Sequence, residues 1–186
     1  MATTPARKHF WPRALESFRQ QQFLSDWQVE LVIDEHETNT LGRKLNAMAA
    51  RCSSEFLLVW DDDDFYLPTR IAKQIQPLVD NPALLVTGTS RIVYRDETGR
   101  AFRYSGNGSW IGAIAFRRTA WERVKFEDVS PGVDYRWLKN FKPEEKFDLK
   151  DDSLFLATIH SQNTCPKQPS GREWKELPRV PEYLPG

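Results

Sequence analysis

Residues 55–64, Glu55-Phe56-Leu57-Leu58-Val59-Trp60-Asp61-Asp62-Asp63-Asp64, decide how this chain reads. An unbroken apolar run from Phe56 to Trp60 is the pattern of a strand covered on both faces. Open α/β sheets bind ligands beyond the carboxyl ends of their strands, which is where the aspartates fall. Four adjacent carboxylates repel one another and call for a compensating cation. In an extended stretch Asp61 and Asp63 point one way and Asp62 and Asp64 the other. One pair can then face a hard divalent cation, Mg2+ or Mn2+, while the other faces a sugar hydroxyl or a backbone amide. Such cations are usually held by one or two carboxylates plus a diphosphate. The spaced acids, central Gly and terminal Glu of an EF-hand loop are absent.

Working outward, the spacing predicts a helix over residues 12–22, a strand over Val29–Ile33 running into Asp34-Glu35, and a helix over 41–52. After the acidic strand come a helix over 68–79 and an apolar segment over 83–89. This strand–helix alternation argues for a parallel sheet with crossover helices. Arg91–Arg95 and Ala101–Tyr104 alternate around Asp96-Glu97-Thr98-Gly99 and read as an antiparallel hairpin. A strand at 111–116, helices at 117–124 and 133–141, and a strand at 153–160 follow. The expectation is one α/β domain over residues 1–164, with a Pro-rich tail over 165–186 packed through Trp174 and Tyr183.

At 186 residues the chain suits a single domain with a sizeable core. Hydrophobic residues at 40% and charged residues at 28% are globular rather than disordered usage. No apolar run reaches ~18 residues, so no ordinary membrane span is expected. Cys52 and Cys165 make neither a disulfide scaffold nor a metal motif. With no signal-peptide core at the start, a cytoplasmic location is the expectation. Net charge is zero, but the balance shifts along the chain. Residues 52–90 carry six acids against two bases, and residues 91–125 eight bases against three acids. The basic block admits a phosphate-bearing acceptor, nucleic acid included, or simply a solvated hairpin.

Several stretches together resemble glycosyltransferase family 2. LVWDDDDFYLPTRIAKQI resembles that family's DxD region. TTPARKHFWPRALESFRQQQF resembles its opening Thr-x-Asn-Arg segment, with Ala6 where Asn is usual. VIDEHE stands at the Val-Asp-Asp-Gly-Ser turn, and LGRKLNAMAARCSS at the helix leading into the DxD. GAIAFRRTAWERVKFEDVSPGVDYRWL resembles the acceptor-side strand with its Arg-Arg pair, and ATIHSQNT the closing strand. Weak motifs in the right order are specific together.

The resemblance implies a GT-A (Rossmann-like) fold: a mixed, mainly parallel sheet flanked by helices, with a small antiparallel portion. It also implies a metal-dependent inverting transfer from a nucleoside-diphosphate sugar, a UDP-sugar foremost, to an acceptor hydroxyl, with Mn2+ or Mg2+ as cofactor. Thr4, Arg7, Asp34 or Glu35, and Arg43 or Lys44 would line the nucleoside and diphosphate. Asp62 would contact the ribose and Asp63 the metal, with Asp61 in support and His160 completing the metal sphere; a hydrogen-bonded structural residue at a strand end is the other reading of His160. Asp134 stands in the place of the catalytic base, at a turn opening a helix whose N-terminus favours the ionised form; an ordinary N-cap is its other reading. Arg117 and Arg118 fall on the acceptor side, as does Trp110 if its ring stacks on a sugar or a base; core packing is the other reading of Trp110. An inverting transfer needs a carboxylate to take the acceptor proton and a cation to hold the departing diphosphate. Only Met1 and Ala2 precede the Thr-Pro segment where the family has a first strand, and Val133 replaces an acid beside Asp134. Rival readings are a nucleotidyltransferase of related fold and a degenerate, non-catalytic sugar-nucleotide-binding module.

Overall fold

A computed structural model describes residues 1–23, 27–106, 114–182 and 184. A 3-10 turn at Pro5–Phe10 leads into α1 (Trp11–Arg19), whose Pro12 sits in the first turn, where no hydrogen bond is lost. Next come α2 (Leu41–Arg51), β1 (Phe56–Leu58), β2 (Phe65–Tyr66) and α3 (Arg70–Asp80). They are followed by β3 (Val86–Gly88), β4 (Arg91–Asp96), β5 (Ala101–Ser105) and β6 (Ala115–Arg117). α4 (Arg118–Arg123), α5 (Val133–Leu138), β7 (Lys146–Asp148), β8 (Phe155–Ile159) and β9 (Trp174–Leu177) complete the chain.

The strands form two mixed sheets, in the orders β1-β6-β3-β7 and β2-β8-β4-β5-β9. β3 pairs with β7, and β4 with β8, in parallel; the other named pairings are antiparallel. The antiparallel share is larger than the alternation implied, because β6 inserts between β1 and β3 and pairs with both. The hairpin forms as read, with Val93 opposite Arg103.

Val29–Ile33 does not form a strand. Among the described residues its pairing is confined to the end, where Ala2 bridges Asp34 and Asp61 in parallel. A strand is stabilised by its neighbours rather than by its own propensity, and Met1–Thr3 is too short a neighbour to carry the ladder further. Conversely β2, β7 and β9 are two to four residues long and exist through their tertiary pairing alone. β9 lies in residues 165–186, and its Trp174 packs between Tyr94 and Tyr104 at centroid distances of 4.9 and 5.0 Å. Trp110, Tyr183 and the start of the strand expected at 111–116 lie outside the described residues.

Helices cover the sheets through their apolar stripes. α3 buries Ile71, Ile75 and Leu78, spaced at i, i+4 and i+7, against Trp60, Tyr66 and Phe155. α2 buries Leu45, Met48 and Ala49 against Leu57, Phe116 and Trp137. Each fully buried large side chain contributes ~1.5–3 kcal/mol, so these stripes fix both helices on the sheets. α2 and α3 thereby hold the carboxyl end of β1, where the aspartates begin.

Candidate active site

After its bridge to Ala2 at Asp61, the chain bends at Asp62 and Asp63 instead of staying extended. The alternation expected of the aspartates is therefore broken. Asp62 and Asp63 converge on one guanidinium, with Arg7 Nη2 2.6 Å from Asp62 Oδ1 and 2.7 Å from Asp63 Oδ2. Asp64 turns down to accept the Thr158 N–H at 3.0 Å, and burial with the charges of Asp63 and Asp61 pushes it well above the carboxylate range. Burial, then the charges of Asp63 and Asp62, raise Asp61 to about 7. Asp63 goes the other way. Burial opposes its charge, but the His160 hydrogen bond and the Arg7 charge outweigh that and hold it below the usual range.

These residues border a cavity of about 350 Å³ that also takes in Thr4, Lys44 and Asp134. Asp62 is buried and accepts from Thr3 Oγ1 (2.5 Å), which itself accepts from Trp11 Nε1 (2.8 Å). Lys44, carried inward by α2, donates from Nζ to the Thr3 carbonyl. Burial lowers its pKa, against the attraction of Asp34 and Asp62. Asp134 enters from the first turn of α5 and accepts its neighbour Tyr135 N–H at 2.9 Å.

Of the residues anticipated from sequence, the cavity brings together Thr4, Arg7, Lys44, Asp61, Asp62, Asp63 and Asp134. His160 reaches it through Asp63, with Nε2 2.9 Å from Asp63 Oδ2. Its Nδ1 accepts the Gln162 N–H at 3.1 Å, so the bonding pattern places the ring proton on Nε2, donated to Asp63. Asp34 lies just outside the cavity, buried, with Oδ1 accepting the His36 N–H at 3.0 Å. Between the paired alternatives the structure separates sharply. Glu35 is exposed and paired with Lys8 (3.2 Å), and Arg43 is exposed and paired with Asp128 (2.7 Å), both away from the cavity. Arg117 and Arg118 sit at the opposite end of β1, where Arg117 binds the Leu84 carbonyl (3.0 Å) and Glu55 (2.5 Å) and Arg118 the Ser54 carbonyl (3.0 Å). With Arg100 on Asp96, Arg103 on Asp152 and Arg123 on Glu145, much of the basic block is neutralised within the fold.

Three residues of the site were not singled out from sequence. Thr3 and Asn163 are short polar residues beside anticipated ones, and Asn163 Nδ2 reaches Asp63 Oδ2 at 3.2 Å. Arg70 carried a signal, a cation within the apolar stripe of α3. It is fully buried, 3.9 Å from the Tyr66 ring centroid, and donates to the Val59 carbonyl at 2.7 Å. From there its charge offsets those of Asp61 and Asp64. Among the described residues no three His, Cys, Asp or Glu side chains gather as a metal-binding group, and no helix is long and apolar enough to cross a membrane.

A mixed α/β fold thus gathers carboxylates at a strand's carboxyl end beside Arg7 and Lys44 in one cavity. The model of glycosyl transferase family 2 matches residues 12–148, and the chain belongs to that family. Its fold is that of solved GT-A glycosyltransferases. TarS 1–349 of S. aureus in complex with UDP-GlcNAc superposes with a TM-score of 0.63 at 14% identity, over 88% of this chain and 58% of that one. The same TarS fragment in complex with UDP gives 0.61 at 15% identity, over 86% and 59%. The mannosyltransferase PcManGT from Pyrobaculum calidifontis, in complex with GDP-Man and Mn2+, gives 0.60 at 11% identity, over 88% and 57%. The chain thus spans less than two thirds of the length of these structures. No curated protein sequence matches it.

Proposed function

We propose that this chain transfers a sugar from a nucleoside-diphosphate sugar, a UDP-sugar first among the candidates, to an acceptor hydroxyl with inversion, using Mn2+ or Mg2+. The observation that carries this is the cavity itself: Asp62 and Asp63 clamped by Arg7 on one wall, Asp134 on another. Family membership and the nucleotide sugars held by TarS and PcManGT support the donor class.

The donor chemistry suits a hard divalent cation. Asp63 is a carboxylate held ionised at the cavity, and cations of this kind are usually held by one or two carboxylates together with diphosphate oxygens. Asp63 would hold the cation, and His160, donating from Nε2, would orient that carboxylate from behind. When bound, the cation supplies charge stabilisation for the departing diphosphate. The chain's own residues do the rest. Arg7 and Lys44 set positive charge beside the diphosphate, and Asp62, fixed by Thr3 and Arg7, meets the ribose. Asp134 takes the proton from the acceptor hydroxyl as its oxygen bonds the anomeric carbon and the bond from that carbon to the diphosphate breaks.

A thermal-shift titration with UDP- and GDP-sugars, with and without MnCl2, tests this. One nucleotide sugar should raise the midpoint by several degrees in a manganese-dependent way, and Asp63→Ala should abolish that rise. A cooperatively melting protein that no nucleotide sugar shifts would overturn the reading.

A further inference from the structure

Part of the basic block at residues 91–125 is not used by the active site, and strand register gathers it on one face of the five-stranded sheet. Arg91, Val93 and Arg95 alternate with Ile92 and Tyr94 along β4. Val93 stands opposite Arg103 of β5, which in turn stands opposite Lys175 of β9. On the other side β8 sets Thr158 opposite Arg95 and Leu156 opposite Val93, and β2 sets Phe65 opposite Leu156. Arg13 reaches the same face from α1, with its guanidinium 5.5 Å from the Phe65 ring centroid. The other face, with Tyr94 and Phe155, turns to the core and the active-site cavity.

The cations of this face are left unbalanced. Among the described residues Asp152 pairs with Arg103 at 2.7 Å, and no acid comes within ion-pair reach of Arg13, Arg91, Arg95 or Lys175. Asp96 and Glu176 alternate to the other face, opposite Ile159 and Phe102, and Glu182 is taken by Arg179 at 2.5 Å. Like charges directly opposite one another, as Arg103 and Lys175 are, work against strand pairing. Burial, with the charge of Arg95, holds the Arg13 guanidinium below its ordinary value against the attraction of Asp64. We propose that this face seats a phosphate-bearing glycan chain, which, resting on the glycosyltransferase reading, is the acceptor.

Arg91 and Arg95 lie about 13 Å apart along β4, too far to share one phosphate, so the match is a chain with several anionic groups. The guanidinium fork suits phosphate oxygens. Nucleic acid fits less well, because bases need open rings to stack on. The Phe65 ring already carries Arg13, and Trp174 packs on the other face between Tyr94 and Tyr104. A lipid surface would need apolar side chains to enter it, yet Val93 and Leu156 are buried and pack with Leu184. β4 and β8 run parallel, so Arg95 lies at the end where β8 runs into His160, and its partner Thr158 borders the active-site cavity. A chain on the basic face therefore has only to cross the ends of these two strands to bring its terminal hydroxyl to the cavity.

The test is calorimetric titration of chain 1–186 with dextran phosphate, alongside unmodified dextran and a short oligouridylate. Dextran phosphate should bind and dextran should not. Arg91→Gln, Arg95→Gln and Lys175→Gln together should weaken that binding by ~10–100-fold and flatten its log–log salt dependence by about 2. Arg100→Gln with Arg179→Gln, which remove cations already paired to acids, should change it by less than about threefold. A thermal midpoint of the triple variant within a few degrees of the wild type shows that the loss is not unfolding. Equal affinities of wild type and triple variant, or no preference for dextran phosphate over dextran, would overturn the inference. Tighter binding of oligouridylate would do so too, and would give the face to nucleic acid. Failure of every nucleotide sugar to bind would sink the donor reading while leaving the dextran phosphate result standing, so the two failures are told apart.

Discussion

Arg7 Nη2 lies 2.7 Å from Asp63 Oδ2 across 56 positions of sequence, and the same nitrogen reaches Asp62 Oδ1 at 2.6 Å. One guanidinium thus neutralises two adjacent carboxylates, with the side chains of Arg7 and Asp62 only 16% and 3% exposed. Removing one member of so buried a pair strands the others' charge. Arg7→Met should cost about 3 kcal/mol and lower the melting midpoint by ~6–12 °C. The freed carboxylates should then draw cations more strongly. MnCl2 should raise the variant's midpoint by more than it raises the wild type's, as read by thermal unfolding over a manganese series.

Asp134 stands at the cavity in the first turn of α5, where its carboxylate accepts the Tyr135 N–H at 2.9 Å. If it takes the acceptor proton, Asp134→Asn should slow transfer by ~10²–10⁴-fold while UDP binding stays within about twofold. Steady-state transfer alongside calorimetric UDP titration separates the two quantities. Near-normal transfer in the variant would return Asp134 to the role of a helix-terminal residue.

The parts of this molecule legible in sequence are those whose signal is local. The apolar run ending at Trp60 placed β1 and the aspartates, and the stripe Ile71, Ile75, Leu78 placed α3. The hairpin of β4 and β5 followed from alternation around Gly99, whose φ of 87° suits a glycine. What escaped depends on distant partners. β2 and β7 are too short to carry a pattern of their own, and Val29–Ile33 has the pattern of a strand but too little partner. In the site, sequence named the acids but could not tell Lys44 from Arg43 or Asp34 from Glu35. Neighbours one residue apart on a helix point about 100° apart, so only the packed orientation of α2 decides that Lys44 is buried and Arg43 exposed.

Gly42 shows how tightly α2 is seated. A Cβ at that position would lie 1.8 Å from the Glu127 carbonyl oxygen, and the Gly42 N–H donates to the Val129 carbonyl at 3.0 Å. The helix start is further tied by Thr40 Oγ1, which donates to Asp128 at 2.6 Å and caps the Arg43 N–H at 3.2 Å. Gly42→Ala cannot be absorbed by a flexible side chain, because the obstacle is backbone. It should cost about 1–3 kcal/mol, visible as a midpoint lower by ~3–10 °C. Lys44, two residues on, should shift with the helix, so UDP affinity should weaken in the same variant. Calorimetric titration below the new midpoint reads that loss separately from unfolding.

Glu145 supplies the clearest dependence of stability on pH. Its carboxylate receives Arg123 Nη1 (2.7 Å) and Nη2 (3.0 Å) together with the Lys142 N–H (2.8 Å), and these bonds, the Arg123 pair foremost, pull its pKa down to about 2. A carboxylate whose pKa is depressed by folding stabilises the native state above its ordinary value of 4.5. That contribution is lost as pH falls from about 4.5 towards 2, where the folded protein also takes up the proton. The pair ties α4 to the 3-10 turn at Pro143–Glu145 that leads into β7. Glu145→Gln should therefore melt below the wild type at pH 7, with the two midpoints converging between pH 4.5 and pH 2. A constant gap across that range, measured by thermal unfolding in matched low-salt buffers, would mean that the side chain acts through packing and not through its charge.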